Sequence, residues 1–487
     1  MAFSIRSGLA WMGFSQAMIF ASGFGASVVI ARLLSPYEMG IYAIAAAIVG
    51  LLATLRAFGL GGYIVREVSL SEAEIRTVFT VNLLLAVLTS LLVIGAAEAG
   101  GVLLREQGVR DVLRVLAIGP LVSAVEFLPN ARMEREGAFR TIGLISLTRS
   151  LVNAVVTIAL AFDGLSFMSV AWGTVASTVV GCLLTNLAGW HYVSLRPGLI
   201  NHRRVLGFGL RMLSITAVAS VSARLSELFL GQIAGLAALG LFSRASGLNN
   251  LLWDNIHGVI ARVVTVDFAQ QRRNRGEFRD SYLRVTAVIT GFLWPCFVGI
   301  GLLSGPIVLN IYGVNWIGSA LPLSILSIAG VIATAATMTS EVYLVCGEQG
   351  PQLRFESLRT VITLPLFIAG CFGGVVWAAL ARVGEAILFV TLSRADLSRM
   401  TQTTFQQVRP LYWNSALLTL AGCGPCVVVM AANNWAADVS LVAVGASIAL
   451  GILLWISTIL STRHPLRTEV LMVFGLFRRA LSIGRPA

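Results

Sequence analysis

Apolar stretches of roughly 18–25 residues recur about fourteen times between Trp11 and Ser457, and short connections between them hold most of the charge. About 20 apolar residues in helical form cover the ~30 Å hydrocarbon core of a bilayer. The pattern predicts spans at 8–31, 38–61, 77–99, 111–130, 140–161, 166–190, 208–233, 237–262, 284–305, 316–345, 356–373, 374–393, 411–432 and 439–461. This is an all-α integral membrane protein of about 14 transmembrane helices. Asp111, Arg114 and Glu126 interrupt the fourth span, and little more than Gly373-Gly374 joins the eleventh to the twelfth. Arg6 followed by an apolar run with small residues at Ala21–Ala26 superficially resembles a cleaved signal. The run continues to Ile30, longer than a signal core, so it is read as a retained first span.

Charge fixes the orientation. Charged residues make up 12% of the chain, about half the share of a soluble domain, and mean hydropathy is +0.85. All 35 Lys/Arg positions are arginine. With the N-terminus inside, and most arginines in the first or last few positions of a span counted with the adjoining connection, twenty-five fall on inner segments, four on outer connections (Arg32, Arg105, Arg110 and Arg114) and the remaining six within spans. That asymmetry predicts that both termini are cytoplasmic. The pI of about 10.2 and net charge of +12 do not point to nucleic acid, because no loop is long enough to fold a recognition module. After the last span, Leu466, Val470, Phe474, Phe477 and Leu481 fall near helical spacing among Arg467, Arg478 and Arg479. Residues 463–487 are therefore expected to form a basic amphipathic tail on the anionic inner leaflet.

The chain repeats itself. Met39-Gly40-Ile41-Tyr42-Ala43-Ile44-Ala45 returns as Leu239-Gly240-Leu241-Phe242-Ser243-Arg244-Ala245, each copy opening an even-numbered span. Glu74-Ile75-Arg76 returns as Glu277-Phe278-Arg279 ahead of spans three and nine. The expected organisation is a six-helix bundle in 1–200, a second in 201–400, two additional helices in 401–462, and the tail. Parallel repeats of this kind place a substrate path between the halves.

Signatures of soluble enzymes are missing: there is no Walker loop, no zinc-type cluster, no D-x-D and no nucleophile elbow. Cys423-Gly-Pro-Cys426 spells a thioredoxin-like C-x-x-C. It lacks a βαβ context and sits in an apolar run, so the cysteines are read as small hydrophobic residues. The informative residues are the charges at bilayer depth, each costing from ~2.5 to above 10 kcal/mol unless a partner or polar cavity receives it. They are Arg56, Arg149, Arg211, Arg224, Arg244 and Arg382, with Glu126, Glu227, Asp254, Glu341 and Glu385. Arg224/Glu227 and Arg382/Glu385 are three apart, so each pair shares a helix face and fits either an internal ion pair or a lumen. Arg211, near the inner end of its span, can also snorkel to the headgroups. With Arg32 at the outer turn, these arginines suit a phosphate-bearing ligand, because a guanidinium fork matches phosphate oxygens. Arg32, Arg56, Arg149, Arg211, Arg224 and Arg244 are the candidate substrate-binding residues. Glu227 and Asp254 are the candidate ion-coupling carboxylates.

Ala31-Arg32-Leu33-Leu34-Ser35-Pro36-Tyr37-Glu38-Met39-Gly40-Ile41-Tyr42-Ala43 resembles the first outer turn of Wzx-type polysaccharide flippases, in the exopolysaccharide and colanic-acid branch of the multidrug/oligosaccharidyl-lipid/polysaccharide exporter superfamily. Phe127-Leu128-Pro129 with Arg135 and Phe139-Arg140, Gly207-Phe208-Gly209-Leu210-Arg211, Gly231-Gln232-Ile233-Ala234-Gly235, and Tyr312-Gly313 with Trp316 extend the resemblance along nearly the whole chain. Glu227 stands where that pattern has Asp. The resemblance implies two six-helix bundles in a V with two C-terminal helices. It also implies a transporter, without cofactor or metal, that carries undecaprenyl-pyrophosphate-linked oligosaccharide across the bacterial inner membrane by alternating access. Transport would be coupled to an H⁺ or Na⁺ gradient. Its implied partners are the lipid-linked oligosaccharide and membrane lipid, with a polysaccharide polymerase and a chain-length regulator as further candidates and no nucleic acid. A cation-coupled multidrug exporter, a membrane glycosyltransferase or polymerase, and a non-transporting scaffold are the competing readings. The arginine-rich spans disfavour the first, the short outer loops the second, and the cost of buried charge the third.

Overall fold

The computed structural model describes residues 5–56, 60, 64, 71–103, 106–192, 198, 218, 220–275, 277–462, 464–468 and 471. Among them the chain is helical with no strand, as lipid immersion demands of a backbone whose polar groups must pair internally. It divides into two units, Met1–Gly240 and Leu241–Ala487. Among the described residues, twelve helical stretches are long and apolar enough to cross a membrane. The predicted seventh span is described only from 218 onward. The predicted eighth lies on a continuous helix too polar to rank with the other twelve.

The first unit contains α1 (Ile5–Leu33), α2 (Pro36–Ala53), α3 (Glu72–Leu103), α4 (Gln107–Leu116), α5 (Ile118–Arg135), α6 (Phe139–Phe162), α7 (Phe167–Ala188) and α8 (220–233). The fourth predicted span resolves into α4 and α5, which meet at Ala117. α4 is strongly amphipathic. It buries Val109, Val112, Leu113 and Leu116 and turns Arg110 and Arg114 outward onto Glu98 of α3, at 2.5 and 2.6 Å. The start of α2 follows from its sequence. Pro36 occupies the first turn, where its missing N–H costs nothing. Ser35 and Glu38 form a reciprocal capping box, with Ser35 N–H donating to Glu38 Oε2 at 2.7 Å and Glu38 N–H to Ser35 Oγ at 3.3 Å. Glu38 also accepts from Ser166 at the head of α7, and Tyr37 donates to Glu106 just before α4. These ends of α2, α4 and α7 are thereby tied together.

α9 (Leu236–Arg275) begins in the first unit and runs into the second; its 40 residues are about 60 Å long, twice a bilayer core. At its start the two repeated glycines touch. A β-carbon at Gly40 would lie 1.9 Å from the Leu236 carbonyl oxygen, and one at Gly240 would lie 1.9 Å from the Pro36 carbonyl oxygen. The repeat partners 36/236 and 40/240 thus exchange contacts reciprocally, as a two-fold crossing of small residues requires.

The second unit continues with α10 (Arg279–Leu302), a series of short helical turns from Ser304 to Ser319, α11 (Ala320–Thr334), α12 (Thr339–Cys346), α13 (Gln349–Phe372), α14 (Val375–Thr401), α15 (Phe405–Ala432) and α16 (Leu441–Ser461). α13 and α14 are joined by Gly373 and Gly374 alone, Gly374 taking φ +87°. The predicted tenth span is broken, because residues 335–338 form a turn between α11 and α12 with Met338 at φ 60°. The main core of this unit gathers Phe268, Tyr282, Ile289, Leu293, Phe297 and Val342. Cys423 and Cys426 lie buried and unlinked within α15; Cys423 donates to the Pro295 carbonyl at 3.3 Å, a packing role. Only the first residues of the predicted tail are described. There His464 and Leu466 are buried, His464 against Gly291 of α10.

Candidate functional site

The first unit assembles a charge cluster from four helices. α2 ends in a short turn, Thr54–Arg56, that carries Arg56. Its Nη1 donates to Ser123 Oγ of α5 at 2.8 Å. Glu126, three residues after Ser123, shares that face of α5. Its Oε1 accepts from Arg149 Nη2 of α6 at 3.0 Å, and Glu126 also interacts through its charge with Arg56. α7 makes room for the pair: a β-carbon at Gly181 would sit 2.1 Å from Arg149 Nε and 2.5 Å from its Cζ. The Glu126 side chain is 12% exposed, and its second oxygen has no hydrogen-bond partner among the described residues. Two guanidinium groups therefore share one carboxylate.

On α8, Arg224 Nη1 pairs with Glu227 Oε2 at 3.0 Å. Gly50 of α2 receives the Arg224 side chain, since a β-carbon there would meet its Nε at 2.7 Å. The two side chains keep 42% and 35% of their surface exposed, more than the Arg149–Glu126 pair. α2 thus carries Gly50, which admits Arg224, and leads into the turn that holds Arg56 in the first cluster. Arg32 is exposed in the last turn of α1. Arg211 falls outside the described residues.

In the second unit Arg244 lies against two aromatic rings, with its Cζ 5.1 Å from the Tyr312 centroid and 4.8 Å from that of Trp316. The Tyr312-Gly313 and Trp316 motif of the sequence is therefore an arginine cradle. The Arg244 guanidinium also hydrogen-bonds with the Tyr312 side chain. Asp254, ten residues along α9, is exposed. Arg382 and Glu385 pair within α14 at 2.5 Å, with Arg382 over the Phe367 ring at 4.3 Å. The sequence reading missed a matching pair on α13, Glu356 and Arg359 at 2.8 Å, because it assigned Arg359 to an inner connection. The same spacing of three that revealed the other pairs was the available signal.

Apolar crevices accompany these charges in the second unit. One of about 450 Å³ is lined by Phe292, Pro295, Gly299, Gly422, Gly451 and Trp455 from α10, α15 and α16.

A helical membrane protein with guanidinium groups held at span depth is a transporter-type scaffold, and comparison with solved structures agrees at the level of fold. The chain is similar to the lipid II flippase MurJ in an inward closed conformation, with a TM-score of 0.73 at 14% identity, covering 94% of this chain and 99% of that one. Residues 29–321 match the family described as polysaccharide biosynthesis protein, and the chain belongs to that family. Its relatives include the lipopolysaccharide biosynthesis protein WzxC of Escherichia coli, 22% identical over 75% of this chain and 74% of its own length. The succinoglycan biosynthesis transport protein ExoT of Rhizobium meliloti is 24% identical over 84% of each chain.

Proposed function

We propose that this protein is a flippase rather than an enzyme, moving undecaprenyl-pyrophosphate-linked oligosaccharide units from the inner to the outer leaflet of the bacterial inner membrane by alternating access, for polysaccharide synthesis. The observation that carries this reading is the guanidinium excess of the first unit, where, among the described residues at span depth, Arg56, Arg149 and Arg224 stand against Glu126 and Glu227. An excess of cation in hydrocarbon is costly, and a bound pyrophosphate offsets it with bidentate hydrogen bonds. Arg32 and Arg211 extend the basic surface along the chain, and Arg244 is the contribution of the second unit. The apolar crevice of the second unit suits a polyprenyl tail. Family membership and relatives named for lipopolysaccharide and succinoglycan biosynthesis support the substrate class.

No nucleotide-binding motif is present in the sequence, so the driving force on this reading is an H⁺ or Na⁺ gradient acting through carboxylates such as Glu227 and Asp254. Both termini lie in the cytoplasm, and a polymerase and a chain-length regulator act downstream. The test is Arg224→Ala combined with Arg244→Ala in a strain making a polysaccharide that depends on this protein. Lipid-linked oligosaccharide is expected to accumulate in the inner leaflet while protein levels hold. Unchanged export at normal protein level would overturn the assignment.

A further inference from the structure

The break in the second unit's broken span carries a titratable pair that the arginine set does not use. Residues 335–338 contain neither Gly nor Pro, yet the helix stops there and restarts at Thr339. Met338 takes φ 60° while its side chain is only 1% exposed. A bulky residue in the left-handed region stores strain of order 1–3 kcal/mol and persists only where the surroundings hold it. Here they do. Tyr412 of α15 donates to the Ala335 carbonyl, Trp294 Nε1 of α10 donates to Thr334 Oγ1 at 2.8 Å, and the two rings stack at 5.8 Å. In membrane transporters, interrupted helices mark ion sites, because the interruption sets polar groups at bilayer depth.

The polar group set here is Glu341, in the first turn of α12. Its side chain is 15% exposed, its Oε1 lies 4.0 Å from His257 Nε2 of α9, and its Oε2 is buried without a hydrogen-bond partner among the described residues. His257 is 20% exposed and stacks on Trp253 at 4.5 Å between ring centroids. The charges that reach His257 are those of Glu341 and of Asp254, which is exposed and three residues earlier on the same helix. Among the described residues, other titratable groups on the packed elements have neighbours of their own. Tyr343 of α12 donates to Asp396 of α14 at 2.5 Å, Cys346 lies beside Arg272, and Tyr282 of α10 lies near Arg394 of α14. No arginine forms an ion pair with Glu341 among the described residues. Among its ionisation states, the two that carry one proton in total, on His257 or on Glu341, are neutral. A neutral site is the one a low-dielectric interior favours.

We propose that His257 and Glu341 form a one-proton binding site, loaded through the exposed Asp254 and switched by rearrangement of the strained turn at 335–338. One carboxylate beside an imidazole suits a proton better than an alkali cation, which needs several oxygen ligands. The site's use in driving transport rests on the flippase reading; proton binding itself does not.

Trp253 supplies a direct readout, because a protonated imidazole stacked on indole quenches its fluorescence. The full-length protein in phosphatidylcholine vesicles is titrated from pH 9 to pH 5, and the Trp253→Phe signal is subtracted from that of the unsubstituted protein. The expected result is a single quenching transition. It is lost in His257→Gln and moved to lower pH by about one unit or more in Glu341→Gln, where the carboxylate no longer stabilises the imidazolium. A flat difference signal, or a midpoint unmoved in Glu341→Gln, would overturn the site. A second arm measures translocation of a lipid-linked oligosaccharide under an imposed pH gradient. If the transition holds but translocation ignores the gradient in every variant, the proton site stands and its link to transport falls.

Discussion

Gly40 and Gly240 offer the sharpest test of the packing, because alanine at either position meets backbone and not a movable side chain. A β-carbon at Gly40 would lie 1.9 Å from Leu236 O and 2.5 Å from its carbonyl carbon; at Gly240 the corresponding distances to Pro36 are 1.9 and 2.8 Å. Restoring ordinary contact at 3.4 Å requires the two helix starts to part by about 1.5 Å. Overpacking of this size costs about 1–3 kcal/mol. Replacing a mid-helix glycine returns about 0.5–1 kcal/mol of backbone entropy, so the net loss for Gly40→Ala is about 1–2 kcal/mol. The two substitutions act on one crossing, so the double variant should lose clearly less than the sum of the singles. Gly25→Ala, with nothing within 4 Å of its β-carbon, is the matched control and should be neutral or slightly stabilising. Thermal unfolding of purified protein in detergent, followed by tryptophan emission, reads all four. A Gly40→Ala melting temperature equal to that of Gly25→Ala, or strict additivity in the double variant, would refute the crossing.

Gly181→Ala should push Arg149 off Glu126 and lower stability by about 1–3 kcal/mol. In an Arg149→Ala background the same change should be neutral or stabilising, and an equal loss in both backgrounds would refute the cradle. Ser35→Ala removes the cap of α2 and should cost about 1 kcal/mol in the same melting assay, with Ser35→Asp retaining most of the stability. His464 is buried outside the spans, and burial pushes its imidazole down to about 4 from an ordinary value near 6.5. A buried imidazole that resists protonation favours the docked segment fully above about pH 6.5 and progressively less as pH falls toward 4. Hydrogen exchange at 464–468 should therefore accelerate on acidification beyond the intrinsic pH effect, and His464→Gln should abolish the excess.

What the sequence revealed and what it withheld divide along a physical line. Lipid forces every span to be apolar over a fixed length and confines charge to connections or to paired sites, so the spans could be read directly. Pairs within one helix were equally readable: a spacing of three put Arg224 with Glu227 and Arg382 with Glu385, and both are paired. Partners on different helices were not. Arg149 and Glu126 are twenty-three positions apart, and nothing in either run names the other or the glycine on α7 that admits the pair. The broken span was invisible for a different reason. Ala335-Ala336-Thr337-Met338 has no helix-breaking residue, and tertiary contacts from Trp294 and Tyr412 impose the turn. The eighth span was legible as a helix from its pattern, but the charges on it keep it below the apolarity of its neighbours.

Those charges also balance differently in the two units, and the difference bears on coupling. At span depth among the described residues, the first unit sets Arg56, Arg149 and Arg224 against Glu126 and Glu227, an excess of one positive charge. In the second, Arg359 pairs with Glu356 and Arg382 with Glu385, while Glu341 beside His257 has no arginine partner among the described residues. An anion neutralises the first imbalance and a single proton, shared by His257 and Glu341, neutralises the second. On the proposed reading, substrate and proton therefore bind to opposite imbalances in separate units. Each site becomes neutral, and so more tolerable in hydrocarbon, when its own ligand is bound. A ligand shifts a conformational equilibrium only through its differential affinity for the two states. The conformation that each unit favours when loaded must then differ from the one it favours when empty, and that requirement turns two local charge balances into a means of driving export with a gradient.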